Sequence, residues 1–462
     1  MSTASSTRTP AAARLDRLPI LPFHYKLFGL VGAGLFLDNV DVYIAGTVLV
    51  VYLQTGWSTL ALNAYFMSAT FTGMLIGGLG AGALADRYGR KFSFQFNLAI
   101  FGLASLAAAL CPTVQWVIAT RLVCGLGLGA EIVIGYSTLA EFVAPRSRGR
   151  WVASLSMMSS FGLLGATLFS WWLIPKFTWR IMFILPGIGA LILLYLRQAI
   201  PESPRWLEVH GRYEECDALI SKFEAEALAH GSLLPPAAPM PPRTAESLLQ
   251  RKFLRPLILG STMQIVLFTA VYGLIAWVPT FLAKQGMPIN KTFFQVMLMS
   301  AGAPTGAFIA SLLADRLGRR RAIIGGSAIA AVLSVVFGLV TSQLFATVVG
   351  FLMIALVYFL VDIIQAVYLP ELFPTEIRVR CSAVCVSMGR ISTILAPFGV
   401  VFLYGHGGVI AVVGVVAVAF VIQAVMMALL GVETSLKSLD IAAGLKSSAA
   451  ATAMVAGHDS KI

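Results

Sequence analysis

Long apolar stretches alternate with short polar gaps along almost the whole chain. A helix needs about 20 apolar residues to cross a bilayer. Twelve such stretches stand out, at approximately 26–52, 60–84, 92–111, 114–142, 151–173, 179–198, 256–283, 293–314, 322–340, 344–370, 381–404 and 408–430. One polar gap is far longer than the others. It carries Glu214, Glu215, Asp217, Lys222, Glu224 and Glu226, then a proline-rich run from Pro235 to Pro242. That pattern predicts short amphipathic helices followed by a linker. The expected organisation is a tail at 1–25, a six-helix bundle at 26–198, a linker at 199–255, a second six-helix bundle at 256–431 and a tail at 432–462. The expected fold class is an all-α membrane protein with twelve transmembrane helices.

Composition agrees with a membrane chain and removes other classes. Hydrophobic residues make up 58% of the 462 residues and charged residues 12%, against roughly 25% charged in soluble domains. The net charge of +12 does not point to nucleic acid, because the basic residues lie in short loops rather than on one polar face. They also fall on alternate loops. The even-numbered connections hold Arg87, Arg90 and Lys91, then Arg146, Arg148 and Arg150, Arg205 through Arg255, Arg316 through Arg321, and Arg378 and Arg380. The odd-numbered connections hold Lys176, Arg180, Lys284 and Lys291. This asymmetry places both termini in the cytoplasm of a multi-pass protein of the inner (plasma) membrane. The first 18 residues lack the apolar core of a signal peptide and are expected to be a disordered tail. The five cysteines form no metal-ligand set, and Cys381 and Cys385 are expected to pack in an apolar helix.

A repeat divides the chain. Leu84-Ala85-Asp86-Arg87-Tyr88-Gly89-Arg90-Lys91 returns as Leu313-Ala314-Asp315-Arg316-Leu317-Gly318-Arg319-Arg320. Each copy closes an apolar stretch with a tight basic turn, so the two six-helix bundles are expected to be pseudo-symmetric, as in many transporters.

Ionisable residues deep in a membrane helix need a partner or a wet cavity, and six qualify: Asp38, Asp41, Arg121, Glu131, Asp362 and Arg390. Asp38 and Asp41 share a face of helix 1. Two carboxylates that close resist simultaneous ionisation, so either can carry a proton reversibly; the alternative is a static pair with Arg121 or Arg390. Arg121 is a candidate gate or relay partner and Glu131 a candidate relay member, with glycines between them that thin helix 4. Arg390 lies roughly ten residues into helix 11, near mid-membrane at about 1.5 Å per residue. Its planar fork matches a carboxylate, either on a substrate or on Asp362 or Glu131. Tyr358, Asp362 and Gln365 share one face of helix 10, which reads as a cavity lining or as a satisfied network between helices. Tyr272 and Trp277 in helix 7 and Tyr43 in helix 1 are candidate rings to stack on a planar substrate, as are Tyr65, Phe66 and Tyr368, packing in the core or against lipid being the alternative for each. Gln264 in helix 7 is a candidate polar contact.

The motifs resemble those of the major facilitator superfamily over nearly the whole chain. Gly82 through Lys91 is similar to that family's loop between helices 2 and 3. In that family the Asp caps a neighbouring helix end and pairs with the Arg in a cytoplasmic clasp. The resemblance therefore assigns gating to Asp86, Arg90, Asp315 and Arg319. Pro145-Arg146-Ser147-Arg148-Gly149-Arg150, Pro201-Glu202-Ser203-Pro204-Arg205-Trp206-Leu207 and Pro370 through Arg378 resemble motifs of sugar porters and organic ion transporters. Leu37-Asp38-Asn39-Val40-Asp41 resembles the D-G-x-D signature of aromatic acid:proton symporters, with Asn39 where Gly is usual. Gly389 through Phe398 resembles the helix 11 segment of organic anion transporters, whose Arg engages anionic substrates. The combination is similar to niacin transporters. Hexose carriers have Gln and Asn clusters in helices 5, 7 and 8, and here helices 7 and 8 offer Gln264 and Gln295.

The resemblance implies a proton-coupled importer of a small aromatic monocarboxylate, nicotinate being the preferred substrate, working by alternating access as a monomer. Arg390, Tyr358, Gln365, Asp362, Trp277, Tyr272, Gln264 and Tyr43 would bind substrate. Asp38, Asp41, Glu131 and Arg121 would handle the proton. An organic cation or drug antiporter is the alternative, with the acidic residues binding the cation, and a sensor without flux is a third class. No cofactor or metal is expected. No nucleophile–base set, nucleotide loop or metal cluster suggests an enzyme.

Overall fold

The structure is a computed structural model that describes residues 10–229, 251–373 and 377–434. The proline-rich run Pro235–Pro242, Pro374-Thr375-Glu376 of the helix 10–11 loop and the tail beyond Thr434 lie outside the described residues. Among the described residues every regular element is helical.

The membrane helices of the first half are Pro22–Gln54, Leu60–Tyr88, Arg90–Leu110, Val114–Phe142, Pro145–Leu173 and Ile181–Ala199. Those of the second half are Phe253–Lys284, Ile289–Leu313, Arg319–Leu339 and Gln343–Glu371, then Arg380–Leu430. The last is two helices meeting at Gly407 (φ −142°) and Gly408 (φ 62°), so twelve apolar spans are present among the described residues. Helices 2 and 3 run closer together than the hydropathy pattern suggested. A single residue, Gly89 at φ 96°, separates them. Gly318 at φ 77° does the same between helices 8 and 9, and only glycine adopts such a backbone without strain.

Two membrane helices lose regular geometry in mid-span. Helix 7 passes through a π turn at Ala270–Leu274 and a tighter turn at Ile275–Trp277 before resuming at Val278–Lys284. Pro279 explains the site, because its ring lacks an N–H and clashes with the carbonyl four residues back. Helix 10 opens into a π turn at Ile363–Tyr368 ahead of Pro370 for the same reason. Mid-helix π turns often mark functional positions, and these contain Tyr272 and Gln365.

The chain divides into two compact units, Met1–Pro242 with Val278–Met297, and Arg243–Trp277 with Leu298–Ile462. The dividing point is the irregular stretch of helix 7, and the segment beyond it packs on helix 1 in the first unit.

The N-terminal segment departs from expectation. Ala11–Asp16 is a helix packed against Pro204–Val209 and Tyr213–Ala229. Ala11 and Leu15 are buried in one cluster with Leu207, Ile220 and Phe223, and Arg14 bonds Asp217 at 3.0 Å and Glu224 at 2.7 Å. Burial at Cys216, Ile220, Phe223 and Ala227 is the spacing of one helical face. The tail is ordered here because the linker helix supplies both apolar and acidic partners.

Candidate functional site

The first unit buries five charged groups around helix 1. Asp41, fully buried, accepts from Arg121 of helix 4 at 2.6 Å, and Ser105 donates to its other oxygen at 3.2 Å. Arg121 also donates to Thr70 at 3.2 Å, and its guanidinium lies 5.2 Å from the Phe66 ring and 5.7 Å from that of Phe183. The closely spaced glycines expected to thin helix 4 do so. A side chain at Gly125 would meet the Thr70 carbonyl at 2.2 Å, and one at Gly129 that of Met74 at 2.0 Å. Close packing of helix 4 on helix 2 is what brings Arg121 to Thr70.

A second ion pair was not foreseen. Glu131 bonds Arg197, at the end of helix 6, and both side chains are 1% exposed. Arg197 also donates twice to the Leu30 carbonyl, at 2.9 and 3.2 Å. Gly34, one turn before Asp38, lies directly against this pair. Within the first unit the ion-pair partner of Glu131 is therefore Arg197. A basic residue so near a helix end ordinarily extends to the interface, which is why its position hid its role. Its signal was that the deep ionisable residues of the first six helices, Asp38, Asp41 and Glu131 against Arg121, leave carboxylates in excess.

Asp38 differs from both pairs. It is 1% exposed, neither of its oxygens has a hydrogen-bond partner, and the charges acting on it are Glu131, Arg197 and Asp41. The cluster thus holds three carboxylates and two guanidiniums. Asn39 takes no part: its amide donates to Ser159 and to the Leu35 carbonyl. The side chain standing where the resemblance leads one to expect glycine therefore ties helix 1 to helix 5.

In the second unit, Arg390 of helix 11 is half-buried and makes no ion pair among the described residues; the phenol of Tyr272 is the ionisable group acting on it. Helix 7 packs closely here. A side chain at Gly389 would meet the Phe268 ring at 2.7 Å and the Gln264 backbone at 2.9 Å. Phe268 and Tyr272 meet edge to face at 5.9 Å. Gln264 is fully buried with both amide atoms unpartnered, as is the Trp277 indole nitrogen. Unpartnered buried polar atoms are costly unless something meets them. Tyr358 is 5% exposed, while Asp362 and Gln365 are half-buried on the same stretch of helix 10. Tyr43 is buried in the first unit. Tyr65 is largely exposed, Phe66 is the ring against Arg121, and Tyr368 is engaged with the backbone of Val432 at 3.2 Å.

The residues to which the resemblance assigns gating lie in one arrangement that occurs twice. Arg90 bonds Asp86 at 2.9 Å and Glu141 at 3.1 Å. The carboxylate over the start of helix 3 is Glu202 rather than Asp86, accepting from the backbone of Arg90 at 2.7 Å and Lys91 at 3.2 Å. Arg319 likewise bonds Glu371 at 3.2 Å, and Glu433 accepts from the backbone of Arg319 at 2.9 Å and Arg320 at 3.1 Å. Ser203 donates to Glu141 as Thr434 does to Glu371. A negative group over a helix N-terminus satisfies free N–H groups and the helix dipole. The side chain of Asp315 lies outside the described residues. Glu141, Glu202, Glu371 and Glu433 carried no assigned role from sequence, although each follows the repeat.

Comparison with known proteins gives a consistent result. The model of the family described as sugar (and other) transporter matches residues 34–443. The inner membrane metabolite transport protein YdjE of Escherichia coli is 34% identical over 93% of this chain and 97% of its own length. The niacin transporter NiaP of Acinetobacter baylyi is 29% identical over 93% of this chain and 98% of its own. Among solved structures, a D-xylose-proton symporter superposes with a TM-score of 0.72, at 20% identity, over 90% of this chain and 99% of that one.

Proposed function

Given that the chain belongs to the sugar (and other) transporter family of the major facilitator superfamily, we propose that it imports a small aromatic monocarboxylate, nicotinate first, together with a proton. The observation that carries this reading is Arg390, a half-buried guanidinium in a membrane helix with no ion-pair partner among the described residues. A cation so placed favours an anionic substrate, because a carboxylate can take both arms of its fork. Tyr272 and Phe268 offer ring faces beside it, and the amide of Gln264 can donate to a pyridine nitrogen. Similarity to NiaP, a niacin transporter by name, supports the same substrate class.

Asp38 carries the proton in this scheme. Its neighbours Asp41 and Glu131 are each paired with an arginine, whereas Asp38 has no hydrogen-bond donor, and a buried carboxylate without one is costly to keep ionised. Losing that proton leaves the cluster with one negative charge in excess, which favours a rearrangement of helix 1 and so couples proton release to alternating access. A cation antiporter fits less well, since two of the buried carboxylates are already matched by arginine.

Uptake of radiolabelled nicotinate and benzoate, measured at external pH 5.5 to 8 in cells expressing the protein, tests the reading. Accumulation should rise with external acidity and be competed by the unlabelled acid. Accumulation that instead needs an outward proton gradient, or uptake of an organic cation with none of either acid, would overturn it.

A further inference from the structure

The second unit carries an apolar groove of about 700 Å³ between helices 8, 9 and 10. Ile309, Ile329 and Leu352 line it and are 39%, 55% and 47% exposed, so it opens to the outside of the helices. Its two charged lining residues, Arg316 and Arg321, both lie at the end that carries the Gly318 turn. Both are exposed, and neither makes an ion pair or side-chain hydrogen bond among the described residues. The adjacent arginines are occupied, Arg319 by Glu371 and Arg320 by the Ala428 carbonyl at 2.6 Å.

The repeat explains why the groove exists here. In the first half, Tyr88, Phe92 and Phe96 form a ladder of rings along the start of helix 3, with centroids 5.3 and 5.8 Å apart. Arg87 is spent on that ladder, its guanidinium lying 5.3 Å from the Tyr88 ring. At the matching positions of the second half stand Leu317, Arg321 and Gly325. Replacing three rings by an aliphatic chain, a cation and no side chain empties the space along helix 9. It also leaves Arg316, the counterpart of Arg87, without a ring to stack on.

We propose that this groove is a binding site for a phospholipid with an anionic headgroup. One acyl chain lies along the apolar wall and the phosphate is held by Arg316 and Arg321. The apolar wall alone selects nothing, because a chain gains little on leaving other chains. Selectivity comes from two unneutralised arginines at the membrane boundary, where each strengthens the attraction of anionic lipid by about fivefold. With the basic loops cytoplasmic, the lipid belongs to the inner leaflet.

The test is a lipid titration of the purified full-length protein, read by native mass spectrometry and by thermal shift. Dioleoyl phosphatidylglycerol should bind at least about tenfold more tightly than dioleoyl phosphatidylcholine. Arg316→Gln with Arg321→Gln should remove that preference, and Arg316→Lys with Arg321→Lys should keep most of it. Arg321→Phe with Gly325→Phe, which copies the first half into the second, should lose the bound lipid. Equal binding of the two lipids by the wild type, or an undiminished preference in the glutamine variant, overturns the site. Full competition by inorganic phosphate would also overturn it, reducing the site to a phosphate contact without the chain.

Discussion

In the first half, the buried charges of helices 1, 4 and 6 are paired, Asp41 with Arg121 and Glu131 with Arg197, and one carboxylate, Asp38, remains over. In the second half, the cation in helix 11 has no carboxylate partner among the described residues, and its surroundings are rings and amides. The turns after the second helix of each half show the reverse relation: Arg90, Glu141 and Glu202 are matched almost atom for atom by Arg319, Glu371 and Glu433. The comparison teaches where specialisation lies. Both halves keep the same charged turn, and they differ in their buried charges: one half leaves a carboxylate over, which we propose carries the proton, and the other a guanidinium, which we propose holds the anion.

The strongest way to break the contrast is to unbalance the first half. Arg121→Met leaves Asp41 buried and unmatched, and losing one partner of such a pair costs about 3–5 kcal/mol. The variant should show a large fall in melting temperature in detergent and little folded protein. Arg390→Lys is the corresponding change in the second half, and it should behave differently. No ion pair among the described residues is lost, so melting should shift little, while nicotinate uptake should fall by roughly tenfold or more because the fork is gone. A melting loss as large as that of Arg121→Met would make Arg390 a structural residue and erase the distinction.

Smaller effects test the shared charged turn. Glu202→Gln and Glu433→Gln each weaken the negative group over a helix N-terminus and should each cost about 0.5–2 kcal/mol. Similar losses in thermal unfolding would sharpen the symmetry; an effect at one site only would break it. The smallest effect belongs to a feature the second half lacks among the described residues, the docked N-terminal helix. Hydrogen bonds from Arg14, then from Arg17, hold the Glu224 carboxyl below its ordinary value of 4.5. Because the folded value is depressed, this contribution is complete above pH 4.5 and is lost as the pH falls through the folded value. It should be worth under about 1 kcal/mol. Proteolysis within residues 10–20 should therefore quicken only in acid or in Glu224→Gln.

Much of this architecture was legible in the chain because membrane crossing leaves a coarse signal. The apolar spans follow from length and hydropathy alone, and the Asp-Arg turn marked the duplication. Glu131 and Asp38 were visible as buried ionisable residues, yet hydropathy could not reveal that Arg197 reaches Glu131. The irregular turns of helices 7 and 10 were hidden for a related reason: a π turn changes the hydrogen-bond register and leaves the apolar content unchanged. Pro279 and Pro370 were the available hints. The order of residues 10–21 was missed because its partners lie in the linker helix more than two hundred residues away.

Proton coupling, as proposed above, rests on Asp38. The measurement is nicotinate accumulation in proteoliposomes under an imposed inward proton gradient, comparing wild type with Asp38→Asn. Asparagine mimics the neutral acid and removes no hydrogen bond, so the variant should fold and still exchange nicotinate across the membrane without a gradient. It should lose accumulation, which the wild type should show. Gradient-driven accumulation by the variant at the wild-type level would contradict the account.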